Sequence, residues 1–128
     1  MRFLIDTCLF LWTVEGSDSV PSSVRALMMD PENAVFLSAV SAWEILLKNE
    51  VGKLPLSRPA DEFVTHFRDV HGIEALPLTE PDVHHLARLP RIHHDPFDRM
   101  LVCQAIANGL VILTPDPAIR QYPVRTLW

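Results

Sequence analysis

The sequence predicts a single α/β domain built on a mainly parallel sheet flanked by helices. Three short apolar runs, Arg2 to Ile5, Ala34 to Leu37 and Leu110 to Leu113, are nearly continuous rather than alternating, as strands buried on both faces are. Between them lie segments with apolar residues at helical spacing, and parallel neighbours require such crossovers. The prolines fall between these units, as punctuation rather than as a low-complexity tract. A length of 128 residues suits one domain with a real core and is too short for two.

Taken in chain order, the strand Arg2 to Ile5 comes first, followed by a helix over Val20 to Met29 and the strand Ala34 to Leu37. Trp43, Leu46, Leu47, Glu50 and Val51 then follow an i, i+3, i+4 pattern that is largely apolar. Helices are expected over Asp61 to His71 and Glu80 to Leu89, with a strand near Glu74 to Leu76 between them. Phe97, Met100, Leu101, Gln104, Ala105 and Asn108 mark another helix, which Gly109 is placed to end. The strand Leu110 to Leu113 follows it, and a last strand is expected near Val124 to Leu127. There is no internal repeat.

Composition narrows the function classes. Nearly half of the residues are apolar and about a fifth are charged, the balance of a soluble globular protein. No uncharged stretch approaches the roughly 18 to 20 residues that span a bilayer. Asp6 interrupts the first apolar run too early for a signal peptide. Cys8 and Cys103 both sit among apolar residues and read as small buried hydrophobes in a reducing cytoplasm, not as a disulfide. The net charge of −5 argues against binding phosphate, which is driven by Lys and Arg. Cations held by acids would reverse that locally, so charge alone does not decide the substrate.

The acids fall in informative places. Asp6 directly follows the first strand, and Asp116 follows the strand ending at Leu113 after Thr114-Pro115. Glu44 is expected on the first turn of the helix after Val35-Phe36-Leu37, and Asp98 opens the helix leading to Asp116. In an open parallel sheet all strand C-termini lie on one rim, where ligands bind. Ionised carboxylates gathered there repel one another, so some are protonated or cations neutralise them. Oxygen ligands without Cys or His select Mg²⁺ or Mn²⁺ over Zn²⁺. Such ions suit hydrolysis of a phosphodiester by an activated water, without a nucleophilic Ser or Cys.

Each acid also has a plainer reading. Asp95-Pro96-Phe97-Asp98 is a helix start, with Asp95 assigned to the cap and Pro96 to the first helical position. Ser41-Ala42-Trp43-Glu44 matches a capping box, and Asp116 between two prolines matches a turn. Local sequence leaves those two open. Asp6 is the hardest to dismiss, because an acid ending a buried strand is costly without a partner.

With these residues in view, the chain resembles PIN-domain proteins of the VapC toxin type. The matching stretches are Phe3-Leu4-Ile5-Asp6-Thr7 with Leu11-Trp12, and Ser38-Ala39-Val40-Ser41-Ala42-Trp43-Glu44-Ile45. They continue with His94-Asp95-Pro96-Phe97-Asp98-Arg99-Met100-Leu101, Gln104-Ala105 and Leu113-Thr114-Pro115-Asp116. The resemblance implies one PIN-like ribonuclease domain over residues 1–128, cleaving RNA endonucleolytically with Mg²⁺ or Mn²⁺. It places Asp6, Glu44, Asp98 and Asp116 on the family's acidic quartet, as metal ligands and catalytic residues. It implies a cytoplasmic homodimer inhibited by a small VapB-type antitoxin, with no membrane role. By position, Thr7 and Thr114 would hydrogen-bond a ligand or a carboxylate, and Arg99 would face phosphate or anchor Glu44. Pro115 departs from the usual Thr-x-Asp pattern, removing one backbone donor but keeping the acid.

Other features fit less specific roles. His84-His85 and His93-His94 suggest zinc, but adjacent histidines diverge and no Cys supports a structural site. Trp12 and Trp43 read as core or dimer-interface residues, and Arg88, Arg91, Arg120 and Arg125 as solvated surface or phosphate contacts. A receiver-type phosphoacceptor would need a lysine after a late strand, yet Lys48 and Lys53 lie mid-chain. A phosphatase with an Asp-x-Asp nucleophile would need an acid where Cys8 stands. The competing function is a catalytically inactive module of the same fold that binds RNA or an antitoxin.

Overall fold

The computed structural model describes residues 1–128 and shows a five-stranded, wholly parallel sheet between two layers of helices. The strands are β1 (Arg2–Ile5), β2 (Ala34–Ser38), β3 (Glu74–Leu76), β4 (Val111–Leu113) and β5 (Thr126–Leu127). Their spatial order is β3-β2-β1-β4-β5. Order therefore reverses between β1 and β4, which pair Ile5 with Leu113 at their C-terminal ends. Ligands of open α/β sheets bind at that kind of reversal.

The continuous hydrophobicity of the strands has a direct cause. Phe3 and Ile5 enter one core with Val35, Leu37, Val111 and Leu113, while Leu4 faces the opposite core with Phe36 and Ile112. The first core is closed by α1 (Thr7–Glu15), α2 (Ser22–Met29), α3 (Ala39–Glu50) and α4 (Ala60–Val70). The second is closed mainly by α6 (Pro96–Asn108), through Leu101, Val102 and Ala105. Gly109 caps α6 in the left-handed conformation, φ 64°, which glycine adopts without steric cost. No helix is long and apolar enough to cross a membrane.

Several local expectations are corrected. α1 has no counterpart in the periodicity, because Thr7 to Glu15 is apolar on nearly every side. The expected Glu80 to Leu89 helix is α5 (Glu80–His84) running into a 3₁₀ turn, His85–Arg88. A capping box does occur there, between Thr79 and Asp82. The one expected at Ser41 does not form, since α3 begins at Ala39 with Ser38 as its cap. Glu44 consequently sits in the second turn, not the first. α3 buries Val40, Ser41, Glu44 and Ile45, so the stripe through Trp43, Leu46, Leu47 and Val51 faces outward. Trp43 is 59% exposed against Phe97 and is not a core residue, whereas Trp12 is half-buried beside Trp128 and packs on the edge of the first core. Cys103 is buried, but Cys8 is exposed, because α1 turns Leu9 and Phe10 inward instead.

Candidate active site

Asp6 leaves β1 and caps α1, its Oδ1 accepting the Leu9 N–H at 2.8 Å. Its Oδ2 accepts the hydroxyl of Thr114, the residue after β4. Asp116 stands two residues further, with Oδ1 accepting the Ala118 N–H at 2.8 Å and its own N–H donating to Thr114 Oγ1 at 3.0 Å. Thr114 thus ties the ends of the two adjacent strands together. Glu44 projects from α3, and its Oε1 accepts the Thr7 hydroxyl at 2.7 Å. Its Oε2 pairs with Lys48 one turn on. Asp98 lies on the first turn of α6, whose cap is Asp95, accepting from the Phe97 and Asp98 N–H groups at 2.9 and 3.1 Å.

The four acids singled out from sequence line one cleft of about 500 Å³. Glu15 and Asp95 line it too, and Lys48 is the only cationic side chain among its walls. The electrostatic consequence is strong. Burial, followed by repulsion from Asp95, Asp116, Glu44 and Asp6, raises the Asp98 carboxyl to about 8. Burial also raises Asp6 to about 6, against hydrogen bonds from Thr114 and Leu9 and with added repulsion from Asp116 and Glu44. Burial, followed by repulsion from Asp6, Asp116, Glu15 and Glu44, pushes the Cys8 thiol to about 11, so it stays protonated and is a poor ligand at neutral pH.

These donors suit a hard divalent cation, being oxygen atoms of carboxylates that are short of positive charge. No three His, Cys, Asp or Glu side chains converge tightly enough to enclose an ion by themselves. Mg²⁺ commonly binds through one or two carboxylates and keeps several waters, so an open cleft is compatible with it.

Other sequence expectations meet the structure unevenly. Thr7 and Thr114 do hold carboxylates, Glu44 and Asp6 respectively. Arg99 does not anchor Glu44: it donates to Pro90 O at 2.8 Å and to the Tyr122 hydroxyl at 3.1 Å, and Lys48 takes the Glu44 position. Arg88, Arg91, Arg120 and Arg125 are absent from the cleft walls. Arg91 lines a second cavity of about 560 Å³ with Trp43, His93, His94 and Arg99. Lys48 was missed by sequence reasoning, although its i, i+4 spacing from Glu44 was a usable signal.

Comparison with known proteins identifies the family and the fold. The PIN domain family model matches residues 3–124. Ribonuclease VapC16 of Mycobacterium tuberculosis is 42% identical over 49 residues, 38% of this chain, and the match spans only 34% of that relative. VapBC2 from Rickettsia felis, solved bound to a DNA fragment from its promoter, superposes with a TM-score of 0.76 at 14% identity, covering 100% of this chain and 99% of that one. VapBC-1 from nontypeable Haemophilus influenzae gives 0.65 at 15% identity, covering 99% and 97%.

Proposed function

The chain belongs to the PIN-domain family, and from that premise we propose that residues 1–128 are a metal-dependent endoribonuclease, the toxin of a VapBC-type toxin–antitoxin pair. The observation that carries this reading is the cleft at the sheet's order reversal, where Asp6, Glu44, Asp98 and Asp116 meet with only Lys48 as a cationic neighbour. These four acids are the proposed Mg²⁺ or Mn²⁺ ligands and the catalytic residues. When bound, such an ion supplies positive charge to a phosphodiester and favours ionisation of the attacking water. The chain's own groups do the positioning. Thr114 and the Leu9 N–H fix the Asp6 carboxylate, and Thr7 fixes Glu44. Lys48 can donate to a phosphate once it leaves Glu44.

The partners proposed with this function are RNA as substrate, a VapB-type antitoxin and a second copy of the chain. The ribonuclease named among the relatives and the VapBC complexes among the structural neighbours support the first two. The outward apolar stripe of α3 supports the third. A cytoplasmic setting accords with this role.

The test uses the purified full chain, freed of any partner, with structured RNAs and Mg²⁺ or Mn²⁺, beside an Asp6→Asn variant. The expected result is metal-dependent cleavage that the variant loses, with cut positions given by sequencing of 5′ ends. Cleavage unchanged in the variant, or none with either metal, overturns the nuclease reading in favour of an inactive binding module.

A further inference from the structure

One polar group beside the cleft has no part in the reaction as described so far. His93, in the segment before α6, lies between Asp98 and Tyr122. Its Nε2 is 3.4 Å from Asp98 Oδ2, and its Nδ1 is 2.7 Å from the Tyr122 hydroxyl. That hydroxyl has two further partners, Arg99 Nη1 at 3.1 Å and the His93 backbone N–H at 3.2 Å, and both of them can only donate. A phenol oxygen has two lone pairs and one proton. With its lone pairs taken by two donors, its proton is left for Nδ1. The Nδ1 atom must then be the bare nitrogen, so the ring's own proton sits on Nε2 and points at Asp98. The hydrogen bond made by one ring nitrogen thus decides the state of the other.

The supports of this arrangement are themselves fixed. Tyr122 is buried in the core under α6, and Arg99 is also tied to the Pro90 carbonyl at 2.8 Å. The Arg99 guanidinium lies 6.0 Å from the Tyr122 ring centroid. Two residues distant in sequence from Asp98 or facing away from the cleft therefore reach it through one imidazole. Partners of this kind behind a ligating carboxylate hold it in the orientation that the ion needs.

We propose that His93 is a positioning residue for Asp98: it donates from Nε2 to the carboxylate, and the Tyr122 hydroxyl, loaded by Arg99, fixes the tautomer that allows this. The proposal rests on the reading of Asp98 as a cation ligand. It also assigns Arg99 a role, since its charge acts through Tyr122 instead of on phosphate or Glu44.

The test is Mn²⁺ binding by calorimetry to the full chain and its variants, with thermal melts to show that each is folded, and nitrogen NMR of the His93 ring. His93→Ala is expected to weaken Mn²⁺ binding about 10- to 100-fold. His93→Gln should restore most of it, because its amide nitrogen reaches the place of Nε2. His93→Asn, whose amide ends near the place of Nδ1, should not. The wild-type ring should show the Nε2–H form, and Tyr122→Phe should mix the tautomers. A wild-type ring in the Nδ1–H form overturns the proposal, as does equal rescue by Asn and Gln. So does His93→Ala binding Mn²⁺ like wild type while Asp98→Asn does not. If Asp98→Asn itself binds Mn²⁺ unchanged, the metal-site reading fails and the positioning role falls with it.

Discussion

Two regions of this molecule bury carboxylates and treat them in opposite ways. Asp82, at the start of α5, is surrounded by donors. The Thr79 N–H reaches its Oδ2 at 3.0 Å, Asn108 Nδ2 reaches Oδ1 at 3.1 Å, and Gln104 Nε2 lies at 3.5 Å. Burial opposes ionisation there, but these hydrogen bonds outweigh it and hold the carboxyl below its ordinary value. At the rim of the sheet the outcome is reversed. Asp6 is as shielded from solvent as Asp82 and has two hydrogen bonds, but it lies deeper in the protein, and that burial together with the neighbouring acids raises it to about 6. A chain able to satisfy one buried acid from its own donors leaves several others short of positive charge in a single cleft. The first acid belongs to the fold, and the second group makes up the proposed cation site.

The largest expected effect breaks the comparison on the rim side. Asp98→Asn removes a proposed ligand and a source of repulsion together. RNA cleavage in single-turnover assays should fall at least about 100-fold, by analogy with the lesser losses seen when only a ligand's support is removed. The melting temperature should hold or rise. A marked drop in stability with cleavage retained would make Asp98 a structural acid like Asp82. The converse substitution comes next in size. Asp82→Ala takes an acceptor from the Thr79 N–H and from the Gln104 and Asn108 amides, which keep only their bonds to Pro77 O and Gln104 O, at a cost of about 1–3 kcal/mol in urea unfolding. Cleavage per folded molecule should persist.

The two regions also differed in how far the sequence revealed them. Rim acids announce themselves by position, because the residue after a buried parallel strand is at the C-terminal edge by construction. Asp6 and Asp116 could be placed that way before any coordinates. Asp82 could not: its donors come from Asn108 and Gln104 on another helix, and no local pattern encodes that meeting. Gln104 was legible only as a helical position, and nothing local marked its contacts with Ser38 and Pro77 O. The sheet was legible through its continuous apolar runs, and α6 through its period and Gly109. α1 was not, because an apolar segment beside an apolar strand carries no face. The orientation of α3 was lost for a related reason. Its most apolar stripe is not its buried one, since Ser41 and Glu44 face inward toward Thr7.

A third test separates the regions by pH. Asp6 and Asp98 have folded values above the ordinary 3.8, so the folded chain retains protons that the unfolded chain releases. Their contribution is complete below about pH 4 and is lost as pH rises through about 6 for Asp6 and about 8 for Asp98. Asp82 has the opposite sign: its contribution is present above 3.8 and is lost as pH falls through its lowered value. Metal-free protein should therefore lose stability between pH 5 and pH 8, measured by urea unfolding. Mn²⁺ should restore it most at the upper end, where protons no longer compete. In Asp6→Asn the slope below about pH 6 should fall to roughly half, leaving the share of Asp98. A flat profile in metal-free wild type would remove the contrast between the two regions.

The smallest expected effect concerns Lys48, the cleft's only basic side chain. Its ammonium pairs with Glu44 Oε2, so a divalent ion at the proposed site would compete with Lys48 for one carboxylate. The lysine side chain is 47% exposed and the glutamate 6%, so solvent weakens the pair although Glu44 itself is buried. Exposed pairs contribute about 0.2–1 kcal/mol, which sets the size of the competition. Lys48→Met should accordingly bind Mn²⁺ up to about 5-fold more tightly in calorimetry. The same variant should bind RNA less tightly in the Asp6→Asn background, because a phosphate contact has been removed, and its affinity should fall less steeply with salt. Opposite changes in the two affinities would show that one ammonium serves Glu44 in the metal-free cleft and the phosphate in the loaded one. Weaker Mn²⁺ binding in Lys48→Met would instead show that the lysine orients Glu44 for the ion, and competition would have to be abandoned.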